Sequence, residues 1–251
     1  MKTIGIYNIK GGVGKTATAV NLGHVAVRAG LRTLIWDLDP QGAATFYFRI
    51  KPKVKKSRRL LFGKSDLDDA IKATDYEGLD LLPADFAFRN MDLLLNKVKK
   101  STSQLKRLLR PLAKDYDLII FDCPPSISLV SENVFRAADA LLIPTIPTVL
   151  SQRTLSQLLD FIEDEKLKTR VLSFYSMADI RKSMHRNICA NPADPRCTWL
   201  KSIIPYTVVI ENMGMERRPV NEYAPGSVAG KAYRALWNEL ASQIKGLKKL
   251  P

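Results

Sequence analysis

One short segment restricts the fold of this 251-residue chain more than any other: a run of glycines and lysines between a strand-like segment and a helical pattern. It reads Lys10-Gly11-Gly12-Val13-Gly14-Lys15-Thr16. In a strand, loop and helix of this kind, glycines let backbone N–H groups turn towards phosphate oxygens, and the helix N-terminus adds its positive end. We expect Lys15 to reach the β- and γ-phosphates of a nucleotide and the Thr16 hydroxyl to bind Mg²⁺.

Apolar segments alternate with helical patterns along the chain, which is typical of a parallel sheet wrapped by helices. The strand candidates are residues 3–8, 33–38, 79–82, 118–121, 140–144, 171–177 and 202–204, and the first helix is predicted at residues 15–29. We therefore predict the α/β class, with one doubly wound, mostly parallel sheet and helices on both faces. We expect a single domain over residues 1–251, with an exposed basic loop at 49–64, an irregular loop at 186–197 and a C-terminal helix at 231–251.

Carboxylates follow two of the strand candidates. Asp37 and Asp39 come after the second, and Asp122 ends the apolar run Leu118-Ile119-Ile120-Phe121. Ligands bind at the carboxyl ends of strands in open parallel sheets, so these acids are expected beside the phosphate loop. An acid at a strand end is more often a turn former or helix cap, but the phosphate loop and these two acid-bearing segments in this order together indicate a nucleotide and magnesium site.

The overall charge favours a polyanionic partner. The chain has 39 Lys+Arg against 25 Asp+Glu, a net charge of +14, which points first to nucleic acid and second to an anionic membrane surface. Three cysteines without C-x-x-C spacing give poor support for a disulfide framework, a zinc ribbon or an iron–sulfur centre. No apolar stretch approaches the roughly 20 residues of a membrane span, and no leader-like segment opens the sequence, so we expect a cytoplasmic, nucleoid-associated protein.

Three motifs together resemble the deviant phosphate loop, switch I and switch II of the ParA/MinD ATPases: residues 10–16, Asp37-Leu38-Asp39-Pro40-Gln41-Gly42 and Asp122-Cys123-Pro124-Pro125. Leu81-Leu82-Pro83-Ala84 and Met177-Ala178-Asp179-Ile180-Arg181 resemble the ParA (Soj-like) branch, which positions chromosomes, plasmids and large protein cargo.

The resemblance implies a slow, partner-stimulated ATP hydrolase with ATP and Mg²⁺ as cofactors. It also implies an ATP-dependent homodimer that binds DNA without sequence preference and is stimulated by a ParB/McdB-like adaptor protein. The aromatic and basic run at residues 45–59 departs from plasmid-type sequences and inclines us towards a protein cargo such as carboxysomes.

The resemblance also assigns roles to residues. Lys10 is the signature lysine that reaches the partner subunit's nucleotide, Asp39 orients the attacking water, and Gly11 stays small where two subunits meet. Thr16, Asp37 and Asp122 belong to the magnesium shell. The nucleotide-binding residues are then Gly11, Gly12, Val13, Gly14, Lys15, Thr16, Ala17, Met177 and Pro205, the last two beside the adenine.

Two departures from the family pattern concern binding. Ala17 stands where relatives carry a hydroxyl residue that contacts the α-phosphate, and Tyr206-Thr207-Val208-Val209 lacks the arginines that DNA-binding relatives often have there. Arg181 matches the family, and the other candidate DNA contacts are inferred from charge alone. They are Lys182, Arg186, Arg196, Lys201, Arg217, Arg218, Lys231 and Arg234.

Other functions are compatible with the same loop. A MinD-like membrane-surface ATPase would use an amphipathic C-terminal helix ending in Lys245, Lys248 and Lys249, but Tyr233 and Trp237 on that helix suit a core contact better. A relative of the nitrogenase iron protein is disfavoured by the cysteine spacing. A metabolic ligase or synthetase is disfavoured by Lys10 and by the Asp-Pro-Gln sequence at residues 39–41.

Overall fold

The computed structural model describes residues 1–51, 67, 69–84, 95–96, 101–192 and 194–250. Its centre is an eight-stranded sheet in the order β3-β4-β2-β5-β1-β6-β7-β8. The strands are β1 Lys2–Ile6, β2 Thr33–Asp37, β3 Lys72–Ala73, β4 Leu79–Leu82, β5 Leu118–Asp122, β6 Ala140–Thr145, β7 Arg170–Ala178 and β8 Thr198–Pro205. Neighbouring strands are parallel except for β3, which runs antiparallel to β4.

Helices connect the parallel strands and cover the sheet. Within the described residues they are α1 Lys15–Arg28, α2 Ala43–Tyr47, α3 Gln104–Leu108, α4 Leu129–Ala137, α5 Val149–Asp164, α6 Ser183–Ala190, α7 Val208–Glu211, α8 Met213–Glu216, α9 Val220–Tyr223 and α10 Val228–Gln243. Short 3₁₀ turns occupy Ser101–Ser103 and Pro111–Lys114.

The two faces of the sheet carry separate apolar cores. On one face α1 and α10 pack against side chains such as Ile4 and Ile35, while on the other face α4 and α5 pack against Trp36 and Phe121. Strands buried on both sides need near-continuous apolar sequence, which explains why β5 reads as an unbroken apolar run up to Asp122. The predicted doubly wound sheet with helices on both faces is confirmed.

Several predicted boundaries are wrong. The sequence missed β3, a two-residue exposed strand with no apolar signal. The helix expected before the 186–197 loop, α6, continues into that loop as far as Ala190. The last strand begins at Thr198 rather than at residue 202. Of the predicted basic loop, residues 52–64 lie outside the described part of the chain. A single domain over the whole chain stays a prediction.

The C-terminal segment folds back rather than extending as one helix. The helix predicted at 231–251 spans Val228–Gln243. The Trp237 indole Nε1 then donates to the Lys248 carbonyl at 3.0 Å, and the Leu250 N–H donates to Asn238 Oδ1 at 2.9 Å. Tyr233 and Trp237 are buried, as the core interpretation of this helix predicts. Over the described residues, the helices fall short of the length and apolarity that crossing a bilayer requires.

Candidate nucleotide and magnesium site

The phosphate loop joins β1 to α1 and is shaped by two glycines. Gly12 and Gly14 have φ angles of 69° and 89°, in the left-handed region that favours glycine. A Cβ at Gly14 would lie 3.0 Å from Ser176 Oγ, so space also restricts this position. Asn8 holds the loop to the sheet, since its Nδ2 donates to the Pro144 carbonyl and its Oδ1 accepts from the Lys10 N–H, both at 2.9 Å.

Lys15 opens α1 with its side chain inside the loop. It is 7% exposed, and its Nζ donates to the Lys10 carbonyl at 2.8 Å. Burial lowers the pKa of this ammonium, and the nearby Asp122, Cys123 and Asp39 partly oppose that shift. A phosphate in the loop would supply the adjacent negative charge that favours the protonated lysine.

The two strand-end carboxylates lie side by side below the loop, because Asp37 and Asp122 are register partners on β2 and β5. Asp37 Oδ2 accepts from the Thr45 N–H at 2.8 Å and from the Thr45 hydroxyl at 2.7 Å, which anchors α2. Burial raises the pKa of Asp37 to about 6. Asp39 lies nearer the surface, where its Oδ1 accepts from the Gln41 N–H at 2.9 Å.

Asp122 is fully buried and poorly satisfied. Within the described part of the chain, neither of its carboxylate oxygens has a hydrogen-bond partner of normal geometry. Burial raises its pKa well above the usual range and the neighbouring Asp37 raises it further, while Thr16 and Lys15 act in the opposite direction. Thr16 and Lys15 lie close enough to favour the charged form, but neither oxygen has the well-formed hydrogen bonds that a buried carboxylate requires.

A cleft of about 400 Å³ opens above the loop. It is lined by nine of the residues expected at the site: Gly11, Gly12, Gly14, Lys15, Thr16, Ala17, Asp39, Met177 and Pro205. Val13, Asp37 and Asp122 are buried and do not line it. Ten further lining residues were not predicted as site residues from the sequence. They are Ala43, Tyr47, Pro125, Ser176, Ile204, Tyr206, Thr207, Ile210, Glu211 and Tyr233.

Most of these additional residues come from segments that are distant along the chain. The turn and helix after β8 supply Tyr206, Thr207, Ile210 and Glu211, and α2 supplies Ala43 and Tyr47. Residues 206–211 come directly after a strand end, where ligands bind in open sheets. That position was the one sequence feature that could have predicted them as site residues.

Lys10 does not line the cleft of its own chain. Its Nζ instead donates to the Ser151 hydroxyl on α5 at 3.3 Å. The adjacent Gly11 has open space around it, since no described atom lies within 4 Å of a Cβ built there. The mouth of the loop is therefore an open surface that carries a lysine.

The predicted DNA-contacting residues occupy several elements and differ in their bonding. Among the described residues, the side-chain ammonium groups of Lys182, Lys201 and Lys231 have no acidic partner within ion-pair distance. Arg181 is highly exposed and pairs with Asp179 at 2.8 Å.

The remaining candidate arginines have intramolecular partners. Arg186 donates to the carbonyls of Ile180 and Arg181, Arg218 pairs with Glu216, and Arg234 donates to the Pro225 carbonyl at 2.9 Å. Arg217 contacts Phe46. Arg196 is engaged by three carboxylates, those of Asp160, Glu163 and Asp194.

The site fits a magnesium-bound nucleotide. The described residues contain no group of three or more His, Cys, Asp or Glu side chains that would hold a metal without help. Mg²⁺ usually takes one or two carboxylates, water and substrate phosphates, and the two unsatisfied oxygens of Asp122 beside Thr16 suit such a shell.

Sequence comparison gives a matching family model and full-length relatives. A family model described as "AAA domain" matches residues 1–172. The sporulation initiation inhibitor protein Soj of Bacillus subtilis is 34% identical over 96% of this chain and 98% of its own length. The chromosome partitioning protein ParA of Caulobacter vibrioides is 29% identical over 97% of this chain and 95% of its own length.

Solved structures share the whole fold. An ATP complex of a McdA variant from Cyanothece has a TM-score of 0.82 at 22% identity and covers 100% of this chain and 98% of its own. A protein from Mycobacterium smegmatis described as cobyrinic acid a,c-diamide synthase, with a bound ATP analogue and magnesium, has a TM-score of 0.73 at 30% identity. It covers 89% of this chain and 93% of its own.

Proposed function

We propose that this chain, which belongs to the ParA/MinD family of P-loop ATPases and to its Soj/ParA branch, is a nucleotide-switched positioning ATPase. It would dimerise with ATP, bind DNA without sequence preference, and release the DNA when a cargo-linked adaptor protein stimulates hydrolysis. The observation that carries this proposal is the arrangement of two lysines in one loop: Lys15 faces inwards and Lys10 lies outside its own cleft.

The inward half of the site supports ATP binding and hydrolysis. Lys15 and the loop amides would bind the β- and γ-phosphates, and Thr16 and Asp122 would hold Mg²⁺, with Asp122 acting through water. The metal ion would neutralise charge that develops on the phosphates during transfer. Asp39, at the edge of the cleft, would accept a hydrogen bond from the attacking water and orient it.

The outward half supports a dimer. Lys10 and the open surface at Gly11 would meet the same surface of a second copy, so that each Lys10 ammonium approaches the partner subunit's phosphates. A cation supplied in trans acts like an arginine finger and stabilises the transition state. Subunit pairing would thus control turnover.

The charge of the chain supports DNA as the surface on which the dimer is held. A net charge of +14 favours phosphate backbones, and Lys182, Lys201 and Lys231 are free of acidic partners among the described residues. A dimer doubles this basic surface, which links nucleotide state to DNA affinity through valency. The partitioning role named for the Caulobacter relative suggests that the bound cargo is distributed along the nucleoid, and a carboxysome-type protein cargo is our narrower proposal.

A membrane-surface role is the weaker alternative. The basic C-terminal residues are held against α10 by hydrogen bonds from the Trp237 indole to the Lys248 carbonyl and from the Leu250 N–H to Asn238 Oδ1, so this segment is not a free amphipathic helix. The Mycobacterium smegmatis structure raises the alternative of an ATP-using synthetase. The position of Lys10 outside its own cleft favours the dimer instead.

The rate of ATP hydrolysis in two variants tests the catalytic roles in this proposal. Lys10→Ala and Asp39→Ala should each reduce adaptor- and DNA-stimulated ATP hydrolysis at least about a hundredfold, because the trans cation or the oriented water is lost. Phosphate release measures the rate, and the far-UV circular dichroism of both variants should match the wild type. Wild-type rates in either variant would overturn the assigned roles.

DNA retention tests the switch. With ATP and Mg²⁺ the chain should be retained on non-specific duplex DNA, and retention should fall steeply between about 50 and 200 mM salt because counterion release dominates. With ADP retention should be lost, since the dimer is not formed. Equal retention with ATP and ADP at physiological salt would remove nucleotide switching from the proposal.

A further inference from the structure

Arg217 connects the segment after α8 to the end of α2. Its Nε donates to the Phe46 carbonyl at 3.0 Å, and its guanidinium carbon lies 4.4 Å from the centre of the Phe46 ring. The same carbonyl accepts from the Arg49 N–H at 3.0 Å. The Arg217 side chain therefore donates a hydrogen bond to a carbonyl at the end of α2 and also stacks on the half-exposed aromatic ring of the same residue.

The backbone at Arg217 is strained. Its φ and ψ angles are 48° and 47°, in the left-handed region where glycine is favoured and a long side chain is not. A non-glycine residue persists in this conformation when surrounding contacts hold it there. The two contacts to Phe46 are such interactions.

The segment that carries Arg217 is itself fixed to the phosphate-loop helix. Asn21 on α1 accepts from the Val220 N–H at 2.7 Å, and its Nδ2 donates to Met213 Sδ at 3.2 Å. Met213 and Val220, on either side of Arg217, are both fully buried. The arginine thus projects from a support that is bound to α1.

The helix held by Arg217 forms part of the nucleotide cleft. Ala43 and Tyr47, at the two ends of α2, line the cleft. α2 is also attached through Thr45, which donates twice to Asp37 under the site, and through the buried side chains of Ala44 and of Phe48 directly after the helix. Loss of the Arg217 contact would leave α2 held by Asp37 and by this buried packing, with the Phe46 end of the helix less restrained.

We infer that Arg217 is a positioning residue for nucleotide binding: it holds α2 against the cleft from an anchor on α1, and it is not primarily a DNA contact. This inference deepens the proposed function and rests on it, because it assigns to the nucleotide site an arginine that its charge alone had placed among the DNA contacts. The chemical class bound at the site is unchanged, a nucleoside triphosphate with Mg²⁺.

Two substitutions of Arg217 distinguish loss of its contacts with Phe46 from a general effect on folding. Arg217→Lys keeps the charge but loses the planar stacking group and the Nε donor. Arg217→Gly removes the side chain where the backbone conformation suits glycine, so misfolding does not account for its effect. Both should raise the KM for ATP and the Kd for a fluorescent ATP analogue about three- to tenfold, with kcat changed less than twofold.

Hydrogen exchange provides a readout that needs no hydrolysis. In the nucleotide-free protein, amides of residues 43–50 should exchange about three- to tenfold faster in both variants than in the wild type. Phe46→Leu should give a smaller effect in the same direction, and combining it with Arg217→Lys should add little. Arg32→Lys, which removes an arginine that contacts Asp117 and the Lys114 carbonyl, is the matched control and should leave all of these values unchanged.

The outcomes distinguish this inference from the proposed function. Unchanged nucleotide affinity and exchange in Arg217→Gly, with a weaker salt dependence of DNA binding, would make Arg217 a DNA contact and overturn the inference. Faster exchange and weaker analogue binding, in a chain that shows no ATP-dependent DNA retention, would support the positioning role while removing the proposed function.

Discussion

At the scale of single residues, the unusual feature of this chain is a pair of buried carboxylates. Asp37 and Asp122 end adjacent strands, and both are fully inaccessible to solvent. Their roles differ because their partners differ: Thr45 satisfies Asp37, whereas neither oxygen of Asp122 has a partner of normal geometry among the described residues. The first holds α2 in place, and the second is available to a cation shell.

Asp37 should make the nucleotide-free protein less stable as pH rises. Its folded-state pKa of about 6 lies above the ordinary value of 3.8, so the folded state binds more protons than the unfolded state between these values. The free energy of unfolding should therefore fall by up to about 3 kcal/mol between about pH 4 and pH 6 on account of this group. Urea unfolding at several pH values, compared with Asp37→Asn, measures the contribution. Parallel pH profiles for the two proteins would contradict it.

At the scale of elements, the start of α5 is the surface against which the loop lysine rests. Thr148 caps this helix, accepting from the Ser151 N–H, and the Ser151 hydroxyl accepts from Lys10 Nζ. The first two residues of the helix, Val149 and Leu150, are each 66% exposed. An apolar surface beside a lysine that lies outside its own cleft is consistent with a contact between copies.

Ser151→Ala should strengthen ATP-dependent dimerisation by about two- to fivefold. The variant removes an acceptor that holds Lys10 within its own chain, and a hydrogen bond to a charged group at a partly exposed site contributes on the order of 1 kcal/mol. Sedimentation velocity with a non-hydrolysed ATP analogue measures the dimer constant. Thr154→Ala, which removes a hydroxyl bonded to the Leu150 carbonyl on the same helix, is the control. A weaker dimer in Ser151→Ala would show that the serine acts in the paired state instead.

At the scale of the whole molecule, the order of the strands assembles the site. Placing β5 between β1 and β2 puts Asp122 beside the phosphate loop and beside Asp37, although the two acids lie far apart in the sequence. The chain then returns over the sheet, so that α10 packs against both β8 and α1. The residues that follow α10 fold back onto it. The residues after α10, as far as Leu250, are thus part of the packed structure.

Deleting residues 245–251 should destabilise the protein without changing membrane affinity. The deletion removes the hydrogen bonds at Lys248 and Leu250 and the packing of Leu247 and Leu250, so the loss of unfolding free energy should be about 1–3 kcal/mol. Thermal unfolding measures it. Co-sedimentation with anionic vesicles in the presence of ATP should be negligible for both forms, and vesicle binding by the full chain that the deletion abolishes would favour the MinD-like alternative.

Local patterns predicted much of the framework and part of the site. The seven predicted strands are all present, and nine expected residues line the cleft, because apolar runs and a glycine-rich loop specify their own conformation. The two-residue strand β3 carries no such signal and forms only by pairing with β4. The cleft residues Tyr47 and Glu211 were also not predicted, since each reaches the site from a separate element.

By itself the sequence determined the phosphate loop, the class of the sheet and the family, since these depend on residue types within a few positions of one another. The packing of the folded chain was needed to show which carboxylate lacks hydrogen-bond partners, where the Lys10 side chain lies and what Arg217 contacts. Those properties depend on neighbours that strand order and helix packing bring together from distant parts of the chain, and burial then sets their charge and their hydrogen bonding.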